Sequence, residues 1–67
     1  MNLDTFVQVS STELSRLTKI DLARWSRYFN KKATLNEKTL ERIGNNLDMT
    51  PDAVLRGVNI RRNLLTK

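Results

Sequence analysis

At 67 residues, with no cysteine and no histidine, the chain makes one domain that neither disulfides nor Cys/His zinc sites can hold together. So short a chain buries only about 60% of its unfolded surface, which leaves well-capped helices or burial against a partner to stabilise it. A formal charge of +5 and a pI near 10.3 favour nucleic acid or an anionic membrane surface as partner, with a merely soluble basic protein as the plain alternative.

No apolar run approaches the roughly 18 residues that a membrane span needs. The opening MNLDTFVQV has neither the basic start nor the apolar stretch of a signal peptide, so a cytoplasmic protein with no membrane contact is expected. With two glycines, one proline and no alternating apolar run, the pattern predicts an all-α domain of five helices.

The first helix covers about residues 3–8, with Leu3, Phe6 and Val7 on one face. The second opens at Ser10, where Ser10 and Glu13 have capping-box spacing and Val9 and Leu14 that of a hydrophobic staple. Leu14 and Leu17 face inward, and the helix stops near Thr18.

The third opens at Asp21, whose carboxylate is expected to accept from the free N–H groups of the first turn. Ile20 and Trp25 are its staple. Leu22, Trp25, Tyr28 and Phe29 recur at helical spacing on one side. Ala23, Ser26, Arg27 and Asn30 occupy the other, flanked by Arg24 and Lys31.

The fourth opens at Asn36, with Leu35 and Leu40 as staple and Leu40, Ile43, Gly44 and Leu47 as buried stripe. The fifth opens at Thr50, with Pro51 in the first helical position, Met49 and Val54 as staple, and Gly57 as the natural stop. Residues 1–57 are thus the domain. Residues 58–67, VNIRRNLLTK, form a short C-terminal tail that reads as a frayed end, a dimer contact or a cover for the core.

Charge concentrates in one stretch. Residues 15–32 carry Arg16, Lys19, Arg24, Arg27, Lys31 and Lys32 against the single acid Asp21, which accounts for the chain's whole net charge. A helix that is apolar on one face and cationic on the other suits a DNA groove.

The segments SSTELSRLTKID, LARWSRYFNKK and TLERIGNNLDMTPDAVLRG resemble the Cro and phage-repressor type of helix-turn-helix family, also called XRE-like, without a gap over residues 10–57. Ile20 falls at that family's apolar turn residue, Trp25 at the buried position of its recognition helix, and Asn30 at the Asn that closes it. Lys19 and Lys31 stand where the family often has Gly, the first helix is shorter, and Leu22-Ala23 replaces the polar start of many recognition helices. The resemblance implies a compact five-helix lambda-repressor-like fold and a phage-like or prokaryotic transcription regulator. Its third helix would enter the major groove, and the protein would bind double-stranded DNA as a homodimer. By position, Ala23, Arg24, Ser26 and Arg27 would face bases, and Ser11, Asn30, Lys31 and Lys32 would hold phosphates.

Each of these residues also has an ordinary reading. Arg24 and Arg27 could be solvated helix charges, while Trp25, Tyr28 and Phe29 read as core. Leu22 points inward by periodicity and outward by the family register, and exposure there would suit a protein partner. The competing function is therefore a small protein-binding module on the same fold, an antitoxin or a phage-encoded inhibitor of a host nucleic-acid enzyme. Neither an enzyme nor a metal or cofactor site is expected, because Glu37, Glu41, Asp48 and Asp52 do not converge. The uncommitted apolar residues Val58, Ile60, Leu64 and Leu65 are expected to pair two copies, with Arg61 and Arg62 adding contacts to the DNA backbone. Removing residues 58–67 is then expected to spare the fold but abolish pairing.

Overall fold

Short polar side chains open four of the helices of the structure, a computed structural model that describes residues 1–65. Asn2 caps α1 (Leu3–Gln8) by accepting from the Thr5 amide at 2.8 Å. Ser10 caps α2 (Ser11–Thr18) by accepting from Glu13 N at 3.1 Å. Asn36 caps α4 (Glu37–Leu47) through Thr39 N at 2.8 Å, and Thr50 caps α5 (Pro51–Leu65) through Ala53 N at 3.2 Å. Each cap satisfies a backbone donor that has no partner within its helix. The domain is all-α, with five helices and no strand among the described residues.

Two expected caps differ. Glu13 turns its carboxylate to Arg16, not back to the Ser10 amide, so the capping box is half made. α3 (Leu22–Phe29) has no side-chain cap: Asp21 contributes only its carbonyl, which accepts from Arg24 N and Trp25 N, and its carboxylate stays in water.

The staple residues all lie in the core or against it. Leu14, Ile20, Trp25, Leu40 and Val54 are buried, and Val9, Leu35 and Met49 pack on them. Gly44 lets the α4–α5 connection fold closely, since a Cβ there would run into the Met49 carbonyl.

Gly57 does not stop the fifth helix. α5 runs on to Leu65, because Gly57 and Val58 are buried and Val58 is a core residue with 0% exposure. Gly57 sits under the Phe6 ring, where a Cβ would come within 2.7 Å of Phe6 Cε1 and 3.3 Å of Leu3 Cδ1. The expected tail is therefore a cover for the core, not an appendage that could be removed without loss. Val58 is not free to pair copies. Residues 66 and 67 and the Leu65 side chain lie outside the described residues.

The last turns of α5 also tie the fold together by hydrogen bonds. Arg61 Nη1 donates to the carbonyls of Phe6 (2.9 Å), Val7 (3.4 Å) and Val9, capping the end of α1, and its guanidinium lies 4.2 Å over the Phe29 ring. Arg62 Nε donates to Tyr28 O at 2.7 Å and Nη2 to Ala33 O at 3.3 Å. The two arginines expected to lie on a loose tail are held on a helix and satisfy carbonyls of this chain. No helix among the described residues is long and apolar enough to cross a membrane.

Candidate nucleic-acid interface

The inner side of α3 is aromatic and fixes how the helix is turned. Trp25 is fully buried, edge-on to Phe6 (6.2 Å between centroids) and to Tyr28 (5.7 Å), and stacked with Phe29 (5.4 Å). Its indole N–H donates to the Thr18 hydroxyl at 3.1 Å, and that hydroxyl donates to Leu14 O at 2.6 Å. One buried chain of bonds thus locks α3 to the end of α2.

With Trp25, Tyr28 and Phe29 inward, helical spacing turns Ala23, Arg27 and Asn30 directly outward. Ser26 and Leu22 lie on one flank of that face and Arg24 on the other. Ala23, Arg24, Ser26, Arg27, Asn30, Lys31 and Lys32 are all exposed, and Ser11 is half-buried. Leu22 points out, 47% exposed, and not inward with the stripe where periodicity placed it.

The turn after α3 closes by its own bonds. The Asn30 amide nitrogen donates to Ser26 O at 2.8 Å and to Ser26 Oγ at 3.3 Å. The backbone amides of Asn30, Lys31 and Lys32 donate to Ser26, Tyr28 and Arg27 carbonyls. Asn30 is thus spent on shaping the turn, and the Lys31 and Lys32 ammonium groups are what it offers an anion. Lys19 (φ 58°) and Lys31 (φ 62°) hold the left-handed conformation that favours glycine.

Charge around α3 is not neutralised from within. The one ion pair among the described residues is Arg16–Glu13, on the exposed side of α2. That contact holds the Glu13 carboxyl below the usual carboxylate range and raises the Arg16 guanidinium. Lys19, Arg24, Arg27, Lys31 and Lys32 have no carboxylate partner among the described residues.

Thr18, Arg61 and Arg62 position this face and carry no local sequence signal. A threonine near a helix end and two adjacent arginines look alike whether they meet water, an indole or a carbonyl. No protein-family model matches the chain, no curated protein matches it in sequence, and no solved structure matches it.

Proposed function

We propose that the protein is a sequence-specific, double-stranded-DNA-binding transcription regulator that sets the outward face of α3 into the major groove. The observation that carries this reading is the group of exposed cations at Lys19, Arg24, Arg27, Lys31 and Lys32, unpaired among the described residues and borne by or next to a helix locked by its buried aromatic side. A rigid cationic ridge gains affinity from phosphate neutralisation, and Arg27 beside Ala23 supplies a guanine-type donor fork and a methyl surface for thymine. Ala23, Arg24, Ser26 and Arg27 are the base-facing set; Ser11, Lys31 and Lys32 hold the backbone, with Asn30 shaping the turn between them. The protein works in the cytoplasm as a homodimer on two half-sites about 34–36 Å apart. The outer side of α5, where Leu55 is 39% exposed beside half-buried Ile60, is the apolar patch left for pairing.

The test is duplex binding across a salt series, following selection on random duplexes. With about five phosphates neutralised, log K should fall with log salt at a slope of roughly −4 to −5. Affinity that ignores salt, or no duplex binding at low salt, overturns the regulator. A second reading draws on Leu22: a large apolar side chain exposed at the start of α3 suits a protein partner, and it gains if the selection yields no preferred sequence.

A further inference from the structure

A cleft of about 340 Å³ opens where the first turn of α2, the second half of α3 and the last turns of α5 meet. Ser11, Ser26, Asn30 and Arg61 contribute its polar wall, and Val7, Phe29 and Leu64 its apolar one. It adjoins the outward face of α3 on the Ser26 side. Family likeness covers residues 10–57, so Arg61 and Leu64 stand outside the segment that carries it.

Arg61 is anchored by one nitrogen only. Nη1 makes all three carbonyl bonds, and Nε and Nη2 have no acceptor among the described residues. No buried side-chain nitrogen or oxygen among the described residues lacks a partner, so Nε and Nη2 reach solvent, and Arg61 is one of the residues that line the cleft. The guanidinium is thus fixed in place by Phe29 beneath it and the α1 carbonyls beside it, with a free edge presented. It has no carboxylate partner among the described residues, and burial pushes its pKa down. The Ser11 hydroxyl makes no hydrogen bond among the described residues. The Ser26 hydroxyl accepts from Asn30 and keeps its own proton to give.

We infer that this cleft is a phosphate oxyanion site, in which Arg61 Nε and Nη2 and the Ser11 and Ser26 hydroxyls hold one phosphodiester of a nucleic-acid backbone while Val7, Phe29 and Leu64 lie against its sugar. A planar guanidinium edge with two parallel donors matches two oxygens of one phosphate. The source of the phosphate rests on the regulator reading; the oxyanion chemistry does not. The site brings α5 to the DNA, with Arg61 joining Lys31 and Lys32 as a backbone contact.

The experiment follows the Arg61 Nε–Hε resonance of the full chain during titration with inorganic phosphate, and separately with a mixed-sequence duplex at low salt. Ser11→Asp is the variant, because a carboxylate in the first turn of α2 suits the helix dipole and leaves the Arg61 anchor intact. Both ligands are expected to move the Arg61 resonance saturably. Ser11→Asp is expected to abolish the response to inorganic phosphate and to weaken the duplex about tenfold, with melting no lower than that of wild type. If the duplex binds while Arg61 stays still and Ser11→Asp changes nothing, the cleft is no phosphate site, though the regulator stands. If inorganic phosphate moves Arg61 and no duplex binds, the oxyanion site stands for free phosphate and the regulator fails. Silence to both ligands overturns the site, and an acidic partner protein that shifts Arg61 where phosphate does not reassigns the cleft to carboxylates.

Discussion

Thr18 and Trp25 meet across the turn between α2 and α3, the threonine hydroxyl accepting the indole N–H at 3.1 Å with neither side chain exposed. Replacing Thr18 by Val keeps the volume and strands a buried donor, an omission that costs about 1–3 kcal/mol. Trp25→Phe removes that donor, so its further cost should be smaller in the Thr18→Val background than in wild type. Denaturant unfolding of the four proteins in this cycle measures the coupling. Additive effects would mean that the bond does not contribute.

Gly57→Ala should reverse the usual sign for a helix interior. Alanine in place of glycine ordinarily gains about 1 kcal/mol there. Here the new methyl meets the Phe6 ring, and overpacking of a tight core costs roughly 1–3 kcal/mol. Phe6→Leu in the same chain should recover part of the loss. A variant that melts above wild type would show that Phe6 can step aside freely.

These two sites mark what was legible in the sequence. The caps at Ser10, Asn36 and Thr50 and the four staples were visible because each is decided within five residues. Asn2 gave the same signal and could have been found by the same rule. The end of α5 was not legible: Gly57 has the local chemistry of a stop, and packing on Phe6, some fifty residues away, overrides it. Leu22 shows the limit of periodicity, which marks a stripe but not its edge, and the exposed side chain lies just past that edge. For the interface, the cations were legible from composition. The engagement of Asn30 with Ser26 and the turning of Arg61 and Arg62 inward depend on geometry that spacing does not encode.

Lys19→Gly and Lys31→Gly should each stabilise the fold by about 1 kcal/mol, because a side chain in the left-handed region is strained and glycine is not. Their effects on DNA should part. Lys31→Gly should also flatten the salt slope by about one unit, while Lys19→Gly, outside the base-facing and backbone-holding residues, should flatten it less. Thermal melts with salt-dependent binding on both variants decide this, and equal slopes would remove Lys31 from the contact set.

Arg27→Ala and Lys32→Ala separate specificity from affinity. Arg27 stands on the outward face of α3, and its loss should relax preference at one base pair by roughly 1–3 kcal/mol. Lys32, on the turn, should weaken all duplexes about equally. Competition between the selected site and its single-base variants provides the readout, and unchanged preference in Arg27→Ala would place the groove face elsewhere on the helix.

The first helix and the last complete each other, and that sets an order of events at the ribosome. Phe6 has Trp25 at its edge but Gly57 is not there to pack on its ring until late, and the carbonyls of Phe6, Val7 and Val9 wait for Arg61. The far end of α3 waits in turn for Arg62. Translation must therefore pass Arg62, and that residue must clear the exit tunnel, before the cationic helix is held in its working orientation. A growing chain that stops short of Arg62 carries the charge but not the shape.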